Sequence, residues 1–235
     1  MRILKQILGW LITLLVPVAL VLGAVRILLT PLYYNVEYRL PYFPADPYGF
    51  SQAERLHWAK LSVEYLLNDS GIKFLGDLKF PVGQQAAGFC ENYLPPRDCS
   101  YFYNDRELQH MLDVKIVVRY AMWVLWGSLL VLLGLGIWAW RSDWWPTYKW
   151  SLSRGGWLTV GLIVALMVYL AINFNSLFIK FHQIFFEGQT WIFNFTDSLI
   201  RLFPVVFWRD AFIWVGVIAL AGGAALGIWG SRNQK

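Results

Sequence analysis

Two histidines, His110 and His182, are the residues of this chain best suited to chemistry. Each lies just outside the end of a long apolar stretch. Their surroundings are unusually polar: Asn104-Asp105-Arg106-Glu107-Leu108-Gln109-His110-Met111-Leu112-Asp113-Val114-Lys115 around the first, and Asn173-Phe174-Asn175 through Phe181-His182-Gln183 to Glu187 around the second. Imidazole exchanges protons near neutrality, so two of them at matching depth point to proton transfer at a membrane surface. Asp113 follows His110 by three residues on a helix, where it can orient that ring or raise its basicity. Asn175 lies two turns before His182 on the same face, which is too polar for plain lipid exposure. The third histidine, His57, reads as a solvated side chain. With three histidines in all, no His-Glu-x-x-His and no paired-cysteine motif, a zinc site lacks its ligands. Neither metal nor cofactor is expected. A serine-hydrolase mechanism has no Gly-x-Ser-x-Gly elbow to rest on.

The elements that must position these residues follow from composition. With 57% hydrophobic, 18% aromatic and only 15% charged residues and a mean hydropathy of +0.45, the 235-residue chain is too apolar for a water-soluble domain. Four stretches reach the roughly 18 to 20 residues that cross about 30 Å of hydrocarbon: Ile7–Leu29, Ile116–Trp140, Trp157–Ile179 and Phe212–Trp229. The expected fold is an all-α polytopic membrane protein, four transmembrane helices with a small α+β external domain between the first two. Arg2 and Lys5 before the first span also fit a signal peptide, but the apolar run to Leu29 is too long for one.

Charge sets the expected orientation. Arg2, Lys5, Arg141, Lys149, Arg154, Arg232 and Lys235, against Asp143 alone, mark the two tails and the second-to-third connection as cytoplasmic. The stretch from Pro31 to Asp113 holds eleven acidic and seven basic residues, a balance of −4 in a chain of net charge +5. It is expected to face outward. The positive charge therefore reports topology, and no nucleic-acid partner is expected. The chain divides accordingly into a cytoplasmic tail and first helix (1–30), an external domain (31–113), a second helix (114–140), a cytoplasmic loop (141–156), a third helix (157–181), an external loop with an interfacial helix (182–210), and a fourth helix with its tail (211–235).

Within the external domain, Asn35 to Tyr42 alternates as a strand would, and Ile72 to Phe80 could pair with it. Ser51-Gln52-Ala53-Glu54 is a capping box that opens a helix to about Leu67. Asn104 with Glu107 is a second such start, from which one helix runs into the second span. Cys90 and Cys99, the only cysteines, are expected to form a disulfide on an oxidising face, two free thiols being the alternative. The stretch from Thr196 to Trp208, interrupted by Pro204, reads as a short helix in the outer interface or a packed connection. At about 1.5 Å per residue, His110 stands roughly 45 Å along the helix from Trp140 and His182 roughly 38 Å from Trp157. The two heights differ by less than two turns.

These residues carry a resemblance. Four spans, Phe50-Ser51-Gln52-x-Glu54, Glu107-Leu108-x-His110-Met111-x-Asp113-Val114-Lys115, and Phe181-His182-Gln183-x-Phe185-Phe186 followed by Trp191, Thr196-Asp197 and Leu202-Phe203-Pro204 resemble the bacterial lipoprotein intramolecular transacylase (Lit) family over nearly the whole chain. The resemblance implies an enzyme of the bacterial cytoplasmic membrane that moves the sn-2 acyl chain of a diacylglyceryl lipoprotein onto the α-amine of its N-terminal cysteine, giving the lyso form. The family's two essential histidines fall on His110 and His182. Diacylglyceryl-modified lipoproteins and membrane lipid are then the expected partners, with Asp113 as orienter. Arg26, Arg119 and Lys180, near the outer ends of spans, are candidates to stabilise an oxyanion or hold lipid phosphate, with snorkelling to headgroups as the simpler role. Another membrane acyltransferase or lipid hydrolase, and a non-catalytic scaffold, remain the alternatives. A transporter would place ionisable groups near the bilayer midplane, where these spans have essentially none.

Overall fold

The structure is a computed structural model that describes residues 2–88, 90 and 93–231. Arg232 and Lys235, part of the charge argument, lie outside them. The described residues form α1 (Arg2–Leu28), α2 (Pro31–Glu37), α3 (Gln52–Leu67), α4 (Lys73–Gly76), α5 (Asp105–Arg141), α6 (Trp145–Phe185), α7 (Ser198–Leu202) and α8 (Val205–Ser231). Of these, α1, α5, α6 and α8 are long and apolar enough to cross a membrane.

The chain forms two compact units. The first comprises residues up to 28, 121–174 and from 211, and is built from parts of the four long helices and the short connection between α5 and α6. Its core joins Ile12 and Val16 of α1 to Ala139 of α5, to Trp144 just before α6, and to Tyr148 and Leu152 at the start of α6. The connection between α5 and α6 is only residues 142–144, and α6 starts well before the expected third span. Pro146 does not prevent this, because in a first turn its missing N–H would have had no partner. Gly223 and Gly227 of α8 face Gly156 of α6 so closely that a Cβ on Gly156 would come within 2.7 Å of the Gly227 nitrogen. Gly-x-x-x-Gly therefore packs the bundle internally, as small residues permit between helices in lipid.

The second unit, residues 29–120 and 175–210, carries both histidines. The expected α+β domain is not what forms there. Residues Pro31–Glu37 are helical, with Thr30 as N-cap and Pro31 opening the first turn. The apparent two-residue alternation yields to a helical spacing, in which Tyr33, Tyr34 and Glu37 are the buried positions. The segment from Ile72 holds the single turn α4, and among the described residues pairing is limited to an isolated bridge between Lys79 and Tyr101. The Ser51 to Glu54 capping box is present, and α3 buries Arg55, Trp58, Ala59, Ser62 and Tyr65 along one face. Phe102 stacks on Trp58 (centroids 4.1 Å apart) and packs against Phe50 and Phe80, so this unit has an aromatic core. Cys90 and Cys99 are joined in a disulfide. The Thr196 to Trp208 stretch splits at Phe203-Pro204: α7 buries Ser198, Leu199, Arg201 and Leu202, while Val206 to Trp208 already belong to α8. Arg201 forms a buried ion pair with Asp46 (Nη2 to Oδ2 2.8 Å) and lies 3.6 Å from the centre of the Phe50 ring. α7 is thus a packed connection.

Glu37 is fully buried, and no donor among the described residues reaches either of its carboxylate oxygens. Burial first, and the Asp210 carboxylate second, push its pKa up to about 7, while the Arg209 guanidinium pulls it down. The folded chain then holds a proton on Glu37 that the unfolded chain releases above its ordinary value near 4.5. Stability is therefore lost as pH rises toward 7. Glu37→Gln should flatten that part of the stability profile and unfold at a higher temperature than the parent at pH 8, as measured by thermal unfolding in detergent from pH 5 to 8.

Candidate active site

His110 stands on the second turn of α5, and the capping box explains why α5 begins where it does. Glu107 N–H donates to Asn104 Oδ1 (3.0 Å), and Asn104 N–H donates back to Glu107 Oε2 (2.7 Å). The other Glu107 oxygen accepts from Leu199 N–H (2.6 Å), the first turn of α7. Asn104 Nδ2 donates to Asp197 Oδ1 (3.0 Å), and Asp197 Oδ2 accepts from Asn194 N–H (2.8 Å). Burial pushes the Asp197 carboxyl up, and the Asn194 N–H, the Arg106 charge and the Asn104 amide partly offset it. Glu107, Asn104 and Asp197 are all buried. Two carboxyl groups and an amide thereby pin the segment 194–199 to the start of α5.

His182 lies on the last turn of α6, a helix broken at Asn173, whose φ of −155° and ψ of 80° are not helical. The two imidazoles come together with ring centroids 6.2 Å apart and planes 22° from parallel, each residue at most 8% exposed. Aromatic side chains surround them. Phe186 and Phe193 meet His110 edge to face at 4.9 and 5.3 Å, while Phe178, Trp191, Phe186 and Phe181 pack on His182 at 4.1, 4.9, 5.5 and 5.7 Å. His182 Nδ1 is 2.8 Å from the Phe178 carbonyl oxygen, which can only accept. Nδ1 therefore carries the hydrogen, and the lone pair of the neutral ring is on Nε2. His110 Nδ1 is buried and has no partner among the described residues. Two positive rings this close in an apolar cage would repel, so the pair suits a single extra proton.

The other anticipated residues are placed differently. The Asp113 carboxylate accepts from Gln109 Nε2 (3.0 Å) and lies 3.5 Å from the Thr190 hydroxyl, so it is turned to the loop after α6 rather than to His110 Nδ1. Arg119 pairs with Asp69 (3.6 Å) on an exposed surface. Asn175 and Lys180 are exposed on α6, and Arg26 belongs to the four-helix unit. Sequence reasoning missed the role of the loop, in which Trp191 and Phe193 cover His182 and His110. No periodic signal marks it, because Trp191 closes a turn in which Ile192 N–H donates to the Gln189 carbonyl.

The chain is similar to known proteins along most of its length. The model of the family described as lipoprotein intramolecular transacylase Lit matches residues 9–208. A protein of Aquifex aeolicus described as uncharacterized is 26% identical over 216 residues, covering 89% of this chain and 87% of that one. The in meso structure of the membrane integral lipoprotein intramolecular transacylase Lit from Bacillus cereus superimposes with a TM-score of 0.73 at 19% identity, covering 96% of this chain and 94% of that chain. Structures of the Bacillus protein with one histidine replaced by arginine or by alanine superimpose with TM-scores of 0.64, again at 19% identity, over 95% of this chain and 88% and 90% of theirs.

Glu107→Gln tests the pin. One oxygen becomes an amide that opposes an N–H it should accept from, leaving a buried donor unsatisfied at a cost of about 1–3 kcal/mol. The expected outcome is a lower unfolding temperature in detergent, together with faster proteolysis within 186–199. Unchanged values for both would dismiss the pin.

Proposed function

The chain belongs to the lipoprotein intramolecular transacylase Lit family and is a membrane acyltransferase, and from that premise we propose how its site works. The acyl group moves from the sn-2 oxygen of a diacylglyceryl lipoprotein to the α-amine of the same molecule's N-terminal cysteine. One observation carries this reading: two imidazoles buried side by side in an aromatic cage. Amine and ester belong to one substrate, so binding supplies the high effective concentration that a covalent enzyme intermediate would otherwise help replace. Both cysteines of the chain are tied to each other, and no enzyme nucleophile is needed.

His182 Nε2, which holds the lone pair, takes the proton from the attacking amine as its nitrogen bonds to the ester carbonyl carbon. The carbonyl π electrons move to oxygen. As the tetrahedral species collapses, the bond from carbon to the glyceryl oxygen breaks, and His110 delivers a proton to that oxygen. Proton exchange between the neighbouring rings restores the pair. The cage disfavours water as a competing nucleophile, which supports transfer over lipid hydrolysis. Asp113 acts at one remove, bracing the loop through Thr190. Arg26, Arg119, Lys180 and Asn175 serve at most to hold headgroups.

The site faces outward and both termini face the cytoplasm, supported by the basic tails and the −4 balance of Pro31 to Asp113. A membrane-impermeant amine reagent should then modify the exposed Lys73 in intact cells; modification only after the membrane is opened would reverse the orientation.

Expression in a host whose lipoproteins keep a free α-amine should convert the diacylglyceryl form to the lyso form without changing total acyl mass. Mass spectrometry of N-terminal peptides reads this directly, and fragments with both chains still on glycerol would exclude it. His110→Ala and His182→Ala should each lower conversion by about 10²-fold or more. The double variant should be little worse than either single, because the rings act as a unit. His57→Ala should have no effect.

A further inference from the structure

The chemistry proposed above develops negative charge on the former carbonyl oxygen, and a cage of phenylalanine rings offers it no hydrogen bond. Among the polar atoms at the cage, His182 Nδ1–H is committed to the Phe178 carbonyl. The two imidazoles are otherwise occupied with moving protons. Among the described residues a further donor stands beside them. Trp191 packs on His182 with centroids 4.9 Å apart, and its Nε1 is buried with no hydrogen-bond acceptor among the described residues. Burying an N–H without an acceptor is costly, so an unspent donor beside reacting groups calls for an explanation. It is not spent on the imidazole face, since the rings are only 34° from parallel and an N–H aimed at a ring face needs them close to perpendicular.

We propose that the Trp191 indole N–H is the oxyanion donor of this site, and that it hydrogen-bonds the ester carbonyl oxygen as that oxygen becomes negative. The hydrogen stays on nitrogen throughout. The amine nitrogen bonds to the carbonyl carbon, the π pair moves to the oxygen that Trp191 holds, and the pair returns as the glyceryl oxygen leaves. A fixed donor in a water-excluded site needs no reorganisation during reaction, and so lowers the barrier more than it strengthens ground-state binding. Its position is fixed through the chain. The segment after Phe193 is anchored by Asp197 and by the Glu107 contact to Leu199, and Thr190 before it meets Asp113. This makes Trp191 a catalytic residue, and it rests on the transacylase reading.

The test replaces the N–H while keeping the ring. β-(3-benzothienyl)alanine, introduced at position 191 by codon suppression, puts sulfur where the indole has N–H, and Trp191→Phe is the encoded companion. With a synthetic diacylglyceryl lipopeptide in lipid-detergent bicelles, both should lower kcat by about 10²-fold with KM nearly unchanged. A lipopeptide with a phosphonate in place of the sn-2 ester, which mimics the tetrahedral anion, should bind the variants correspondingly more weakly. Full kcat in either variant that keeps the parent unfolding temperature would overturn the assignment of Trp191. A loss in KM alone would overturn it too, reducing the indole to a packing surface. If the unmodified protein makes no N-acylated product in the same assay, the transacylase chemistry itself fails and Trp191 with it.

Discussion

Glu107 is wholly buried three residues before His110, and its two oxygens are held by backbone N–H groups from segments far apart in the chain, Asn104 on one side and Leu199 on the other. A carboxyl group in that position is tolerated only if its oxygens are hydrogen-bonded, because a polar atom buried so deeply with no partner would cost its desolvation. The requirement acts as a register. When Leu199 is in place, Asp197 meets Asn104 and Asn194, and the loop leading to them lays Phe193 on His110 and Trp191 on His182. A helix cap therefore also closes the site.

Helix length is the second constraint. An α-helix of 37 residues is about 55 Å long, and about 30 Å of hydrocarbon uses little more than half of it. The surplus turns of α5 and α6 are where the histidines sit, and they are where the polar residues of these helices concentrate. The break at Asn173 divides α6 between the two units, so the turn bearing His182 packs with the second unit. Rigid helices with their own hydrogen-bond ladders hold reacting groups more closely than loops could.

The cage also accounts for how little machinery the site contains. Aromatic side chains exclude water and lower the local dielectric, which strengthens whatever electrostatic contacts remain. In the proposed reaction, a substrate that brings both its nucleophile and its ester needs only proton movement and a place for the developing charge. Two imidazoles and one indole N–H match that short list.

Much of this was legible in the amino-acid sequence, and for a definite reason. Four apolar stretches, the Ser51 and Asn104 capping boxes, the cysteine pair and the polar settings of His110 and His182 are local signals, carried by composition or by residues within a few positions of one another. Local signals failed where two periods competed over a short stretch. Residues 35–42 read as a strand, but Pro31 and the burial of Tyr33, Tyr34 and Glu37 made the first part a helix. Asp113 was a natural partner for His110 by spacing, yet its oxygens went to Gln109 and to Thr190, 77 residues away. The tie from Glu107 to Leu199 spans 92 residues. Such contacts have no periodic signature, because they follow from which buried polar groups can find partners once the helices are packed. Sequence alone determined that this chain spans a membrane and sets two histidines in polar stretches at the ends of its spans. Tertiary structure decided what surrounds those rings and which nitrogen of His182 holds the lone pair.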